Sequence, residues 1–308
     1  MKVMVTCPPM LGMKEQFIPL FEKQGIEVFC PNVTQTLSEE ELIELVPKFD
    51  GWIIGDDPAT RKVFEAGKAG NLKAAVKWGI GVDNVDFQAC KDLNIPITNT
   101  PGMFGAEVAD VALGYLLGAA RETFYIDREI RNGSWPKNRG MSLVGKTVGV
   151  IGYGDIGRNT VSRAKAFGLK TVVYDPGVNS VDSGSELCIW PADVDQCDFL
   201  IFTCSLNATN RHMLDKCVLD ECKEGVIVIN VARGPLICEE DLIAALKSGK
   251  VKSAALDVFE LEPLPRYSYL REHPLCILGS HNSSNTTEAV CRTNNIAVEK
   301  LISFLESK

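Results

Sequence analysis

The stretch Thr147 to Val161, TVGVIGYGDIGRNTV, restricts what this chain can fold into more than any other. An apolar run rich in valine ends at Gly152, and the spacing Gly152, Tyr153, Gly154, Asp155, Ile156, Gly157 then opens a helical pattern. Each glycine answers a different steric need. The first permits a tight turn, the second lets a pyrophosphate approach the backbone, and the third lets helix and strand lie close, so that phosphate meets the positive helix end. The spacing alone also fits a plain strand-turn-helix whose glycines serve packing. The next strand-like run, KTVVYDP, favours the nucleotide. It ends in Asp175, where a carboxylate accepts hydrogen bonds from an adenosine ribose and repels a 2'-phosphate, while Pro176 adds no cation. The pattern predicts a dinucleotide site for NAD rather than NADP.

Apolar runs and helical segments alternate along the rest of the chain, as in parallel sheets joined by crossover helices. Before Pro101, strand-like KVMVTC, IEVFC, DGWIIG, LKAAVKWGIG and NIPITNT are separated by helical MKEQFIPLFEKQG, SEEELIELVPKF with Ser38 as N-cap, and ATRKVFEAG. Beyond it, one long helical region is expected from Ala106 to Glu129, then strands at KTVGVIG, KTVVYD, CDFLIFTC, GVIVINVA, SAALDVF and LCILGSH. The expected fold is α/β, with two Rossmann-like parallel-sheet domains. A nucleotide domain over 101–282 interrupts a second domain made of 1–100 and 283–308, and TTEAVCRTNNIAVEKLISFLE reads as an amphipathic helix returning to that second domain.

Composition removes other classes. Asp and Glu outnumber Lys and Arg by 40 to 32, and the resulting net charge of -8 disfavours nucleic acid or an anionic membrane as partner. The apolar stretch VADVALGYLLGAA is too short to span a bilayer and contains Asp110, while Pro8 and Pro9 interrupt the N-terminal run, so a cytoplasmic protein is expected. The 11 cysteines form no CxxC pair and no Cys/His group at metal spacing, which predicts reduced thiols and no metal site.

Three polar residues follow buried-looking strands, where open parallel sheets place their ligand groups. Arg233 follows GVIVINVA, Glu262 follows SAALDVF, and His281, one of 3 histidines, follows LCILGS. Hydride transfer beside a hydroxyl or carbonyl needs a proton carrier titrating near neutrality, and a carboxylate substrate needs a planar cation; histidine and arginine supply these. Taken singly, Arg233 also fits a turn cap, His281 a core imidazole and Glu262 a solvated loop acid.

Over essentially its whole length the chain resembles the D-isomer-specific 2-hydroxyacid dehydrogenase family. The resemblance is carried by KWGIGVDNVD at 77–86, NTPGMFGAEVADVALGYLLGAAR at 99–121, GKTVGVIGYGDIG at 145–157, VIVINVARGPLICEEDLIAALKSGKVKSAALDVFELEPLP at 226–265 and GSHNSSNTTEAV at 279–290. It implies an NAD-binding domain inserted into a discontinuous substrate domain, and a homodimer built on the long helical region. It implies a catalytic set in which Arg233 grips the substrate, His281 is the acid/base and Glu262 orients it. Lys77, Trp78 and Gly79 are implied to hold the substrate, a small acidic metabolite, and Asp257 to lie on the nicotinamide side of the cofactor.

Lys77 corresponds to a basic residue that helps hold phosphate in the phosphoglycerate dehydrogenase branch, so D-3-phosphoglycerate is the first substrate expected. A non-phosphorylated acid, as in hydroxypyruvate or glyoxylate reductases, is the second, and a phosphonate or sugar-acid relative the third. Trp78 is bulkier than the small residue common at its position. Ser205 and Ser280 replace common prolines, and Asp110 a common glutamate. Arg131, Lys137 and Arg139 sit in a segment that in the family approaches the neighbouring subunit's site. The chain ends soon after its last expected helix, with no room for the regulatory extension of some phosphoglycerate dehydrogenases. The reading of another class is an NAD-sensing, corepressor-like interaction protein; joint retention of Arg233, Glu262 and His281 argues against it.

Overall fold

The computed structural model describes residues 1–307 and divides the chain into two compact units, Met1–Met103 with Asn285–Lys308, and Phe104–Ser284. The breaks expected from sequence lie at 100/101 and 282/283, and Lys308, the last residue of that expected domain, is outside the described residues.

In the first unit, β1 (Lys2–Val5), β2 (Glu27–Phe29), β3 (Gly51–Ile54), β4 (Ala74–Lys77) and β5 (Ile97–Asn99) pair in the order β2-β1-β3-β4-β5, every pair parallel. The helix Thr287–Glu306 belongs to this unit and lies against β3 and β4. Thr286 caps it by accepting the Ala289 N–H. Ser38 forms a reciprocal capping box with Glu41: the Ser38 hydroxyl accepts the Glu41 N–H at 3.2 Å and the Glu41 carboxylate accepts the Ser38 N–H at 2.8 Å.

The second unit holds β6 (Thr147–Ile151), β7 (Lys170–Tyr174), β8 (Ser185–Cys188), β9 (Phe199–Phe202), β10 (Val226–Asn230), β11 (Val251–Leu256) and β12 (Ile277–Leu278), again wholly parallel, in the order β12-β11-β10-β9-β6-β7-β8. The chain winds outward from β6 to β8, then returns to β9 on the other side of β6. Ligands bind outside the strand ends at such a reversal. Strands β9 and β10 are buried at every residue, which explains why their sequences read as continuous apolar runs rather than alternating ones.

The expected long helix is two helices, Gly105–Arg121 and Thr123–Arg131. Glu122 breaks it with a left-handed φ of 56°. Its buried carboxylate pairs with Lys252 at 2.8 Å and accepts the Asn138 side-chain amide, tertiary contacts that override local helix propensity. The strand β8 and the short helices Pro8–Leu11 and Phe87–Asp92 also appear without an expectation for them. No helix among the described residues is long and apolar enough to cross a membrane.

A buried carboxylate joins β1 to β3. Asp57 accepts the Leu37 N–H at 2.9 Å, the Gly55 N–H at 3.1 Å and the Thr6 hydroxyl, and the Trp52 indole N–H donates to the same hydroxyl at 3.0 Å. Burial pushes the Asp57 carboxyl above the ordinary carboxylate range. Asp57→Ala strands these donors away from water, so a loss of about 3 kcal/mol is expected, read as a lower urea midpoint at unchanged slope.

Candidate active site

At the end of β6, Gly152 has a φ of +102°, donates its N–H to Tyr174 O at 2.8 Å and lies so near the next element that a Cβ would fall 2.6 Å from Cys204 N. Gly157 is equally constrained, since a Cβ there would fall 2.0 Å from Gly152 O. Gly154 is different. It stands at the N-cap of the helix Asp155–Ala166, and apart from its immediate chain neighbours nothing comes within 4 Å of the Cβ position. Two glycines thus serve the fold, and the middle one leaves open the place where a phosphate meets the helix end. Thr203 reinforces the turn by donating its hydroxyl to Gly152 O at 2.9 Å and Ile151 O at 3.1 Å.

Tyr153 is buried and donates its N–H to Asp175 Oδ2 at 2.6 Å, while Asp175 Oδ1 accepts the Gly177 N–H at 2.8 Å. These bonds fix the carboxylate at the end of β7, beside the loop, where it retains further lone pairs for ribose hydroxyls. The carbonyl of Ile156 accepts the Thr160 hydroxyl at 2.9 Å. Asp155 uses its side chain elsewhere. A Cβ on Gly105 would fall 2.3 Å from Asp155 Oδ1, so the carboxylate lies against the first turn of the helix Gly105–Arg121, where the helix dipole favours negative charge. The loop therefore fits a dinucleotide through Gly154, the helix N-terminus and Asp175, with Asp155 contributing backbone.

The ends of β10, β11 and β12 position the expected catalytic set. Asn230, 1% exposed at the end of β10, braces the following turn: its Oδ1 accepts the Ala232 N–H at 3.0 Å and its Nδ2 donates to Arg233 O at 2.9 Å. Arg233 Nη1 donates to Ala232 O at 2.8 Å. The next residue, Gly234, lies on the Phe259–Glu260 peptide, where a Cβ would fall 1.9 Å from Phe259 C. Glu262 Oε1 accepts the Phe259 N–H at 2.9 Å, and its Oε2 stands 2.8 Å from His281 Nδ1. The paired side chains are 21% and 23% exposed, respectively.

His281 has a φ of 56°, unusual for a residue with a Cβ, and the surroundings hold it there. Its N–H donates to Asp257 O at 2.7 Å. The Asp257 carboxylate, 2% exposed, accepts the Asn282 N–H at 3.1 Å, the Ser283 N–H at 2.8 Å and the Ser283 hydroxyl at 2.5 Å. Tyr115 Oη lies 3.5 Å from the same carboxylate, and burial followed by that negative charge pushes its phenol pKa upward. Within this chain, then, Asp257 holds the histidine turn. The signal for this role was an acid closing the buried run SAALD; Asn230, which sequence reasoning passed over, closes GVIVIN in the same way.

The expected substrate-loop residues belong to the first unit, and their side chains are engaged there. Lys77 is 2% exposed, and its Nζ donates to Gly55 O at 2.7 Å and pairs with Asp56 at 3.0 Å. A buried cation needs a local counter-charge, and Asp56 supplies it. Trp78 is also buried, its indole N–H donating to Asn294 Oδ1 at 2.8 Å, so the ring serves the packing of this unit. Gly79, with a φ of +110°, donates its N–H to Thr100 Oγ1 at 2.8 Å.

Other expected positions have local partners. Asp110 pairs with Arg163 at 2.6 Å, joining the helices Gly105–Arg121 and Asp155–Ala166. Arg131 pairs with Asp127 at 2.8 Å, and Lys137 sits 5.4 Å from the Trp135 ring centroid. Ser205 O accepts the Asn210 side-chain amide at 2.8 Å, a bond that steadies the loop without proline. Ligand atoms of Glu186, Cys188 and Asp193 come within 4.8 Å of one another near β8, a grouping that sequence spacing did not reveal.

The switch-point loop, the Asp175 carboxylate beside it and the arginine, glutamate and histidine beyond the strand ends are the arrangement of a Rossmann-type oxidoreductase that uses NAD. A family model for the D-isomer specific 2-hydroxyacid dehydrogenase NAD-binding domain matches residues 113–283, and the chain belongs to that family. It is 35% identical over 299 residues to hydroxypyruvate reductase from Thermotoga maritima, covering 95% of each chain. It is 35% identical over 325 residues to D-3-phosphoglycerate dehydrogenase from Methanocaldococcus jannaschii, covering 100% of this chain and 58% of that protein. Among solved structures, NAD-dependent formate dehydrogenase from Staphylococcus aureus in complex with NAD matches with a TM-score of 0.88 at 26% identity, over 99% of this chain and 96% of the other.

The different surroundings of the glycines predict different defects. Gly154→Val is expected to keep the parent melting temperature while weakening NADH binding at least about tenfold in a fluorescence titration, because its side chain enters the phosphate position. Gly157→Val is expected to lose about 3 kcal/mol of stability through overpacking against the Gly152 carbonyl.

Proposed function

We propose that the substrate is a small non-phosphorylated D-2-hydroxy acid, of which the D-glycerate and hydroxypyruvate pair is the best match. The pairing of the buried Lys77 with the partly exposed Asp56 carries this choice: an ammonium already paired at 3.0 Å has little attraction left for a phosphate dianion, and the dianion would meet the Asp56 carboxylate. The relative named a hydroxypyruvate reductase, matched over 95% of each chain, supports the same reading. D-3-phosphoglycerate is the second reading, favoured by the presence of Lys77 and by relatives named phosphoglycerate dehydrogenases, which this chain spans over little more than half their length.

When bound, NAD supplies the hydride acceptor or donor. The chain's own residues manage the charge and the proton. With Nδ1 facing Glu262, His281 exchanges the proton with the substrate oxygen through Nε2, and the carboxylate holds the ring in the plane this requires. Arg233 offers a planar fork to the substrate carboxylate, a match that a lysine would not reproduce.

The reading extends to a homodimer in the cytosol. Leu117, Phe124 and Ile130 are 37%, 46% and 41% exposed on the two helices of the expected dimerisation element, an apolar face suited to a second copy. The 11 free thiols suit a reducing compartment.

Initial rates followed by NADH absorbance test the assignment. D-Glycerate or hydroxypyruvate is expected to outpace the phosphorylated pair by at least about tenfold in kcat/KM, and His281→Ala to lose about a thousandfold in kcat while still binding NADH. A preference for D-3-phosphoglycerate that collapses in Lys77→Ala would reverse the choice of substrate.

A further inference from the structure

Two histidine–glutamate pairs share one short segment of the second unit. Glu262 faces His281, as described, and two residues earlier Glu260 faces His212, with Oε1 2.5 Å from Nε2. That nitrogen is buried, and the two atoms meet off the line of a well-formed hydrogen bond, so the contact is one of close packing between the ring edge and the carboxylate. Glu260 is held from a second side by the start of the helix Glu239–Ser248: its N–H donates to Glu239 Oε2 at 3.3 Å, and its own Oε1 lies 3.5 Å from the Glu239 N–H. His212 has a φ of 54° and donates its N–H to Pro235 O at 2.8 Å, which ties it to the turn that begins at Arg233.

We propose that Glu260, anchored by His212, is a positioning residue that sets the Glu262 carboxylate against His281. The coupling is short. Gly234 presses on the Phe259–Glu260 peptide, the Phe259 N–H on that segment donates to Glu262 Oε1, and the other oxygen of Glu262 meets His281. Releasing Glu260 frees the Phe259–Glu260 peptide, and through the shared Cα of Phe259 the preceding N–H, to which the Glu262 carboxylate is bonded, shifts with it. Burial pushes the Glu239 carboxyl above its ordinary range, which eases the approach of two acids at this anchor. The shift needed is small, because a misplacement of about 1 Å in a reacting constellation costs up to about a hundredfold in rate.

The inference rests on the catalytic reading of His281, and its test separates the two. Steady-state constants are measured for Glu260→Ala, Glu260→Gln and His212→Ala, each alone and combined with Glu262→Ala, with His281→Ala alongside. Glu260→Ala and His212→Ala are expected to lower kcat about tenfold while KM for NAD stays within about twofold. Glu260→Gln should recover most of the rate, since its amide oxygen takes the place of Oε1 against both His212 Nε2 and the Glu239 N–H. In the Glu262→Ala background the same substitutions should change kcat less than about twofold, because the relay is already absent. Parent kcat in Glu260→Ala, or an equal loss with and without Glu262, would overturn the positioning role while leaving His281 in place. Parent turnover in His281→Ala would instead remove the reading beneath it. Should Glu260→Ala fail to fold, His212→Ala probes the same contact from its other side.

Discussion

Parallel strand pairing is the constraint from which the site in the second unit follows. When every strand runs the same way, every crossover returns the chain to the same starting edge, and all the strand ends come out at the other. Gly152 follows β6, Asp175 follows β7, Thr203 follows β9, Asn230 closes β10 with Arg233 in the turn beyond it, Asp257 follows β11, and His281 comes after β12. Residues scattered over more than a hundred positions of sequence thereby share one sheet edge. The reversal of winding between β6 and β9 keeps crossover connections from covering the middle of that edge.

An edge of loops needs polar anchors, because backbone groups that leave a buried sheet lose their ladder partners. Thr203, Asn230 and Asp257 serve as those anchors. Each is largely buried, and each accepts or donates within its own turn or the adjacent one. Asp257 does the most demanding work, since it stabilises a turn in which His281 carries a left-handed backbone. The strain sits on the residue whose ring must be aimed, and the three bonds to Asn282 and Ser283 hold it there. The segment from Phe259 to Glu262 performs a related task, with one acid tied to structure and the other to the imidazole.

The first unit uses charge differently. Asp57 satisfies donors from three separate stretches of chain just beyond the ends of β1 and β3, while Asp56 pairs with Lys77 beside it. Burial makes Asp57 and Lys77 depend on their neighbours, so the identity of Lys77 conveys less about a ligand than its counter-ion does. The resemblance at KWGIGVDNVD suggested a phosphate contact for Lys77, and what the sequence did not disclose is that Asp56 already meets its ammonium.

Much of this architecture was legible in the residues. Alternating apolar runs and helical segments specify a parallel α/β chain, glycine spacing specifies the nucleotide loop, and Ser38 with Glu41 specifies a helix start, because each depends on neighbours close in sequence. Asp175, Arg233, Glu262 and His281 were singled out because they follow strand-like runs, and the structure places them beyond the strands that those runs form. The break at Glu122, the turn of Asp155 toward Gly105, the engagement of Lys77 with Asp56 and the pairing of His212 with Glu260 were not legible. The sequence by itself determined the order of strands and helices and the chemical types available at their ends; the tertiary structure alone decided which acid neutralises which cation and which glycine remains open, since those outcomes depend on contacts between residues far apart along the chain.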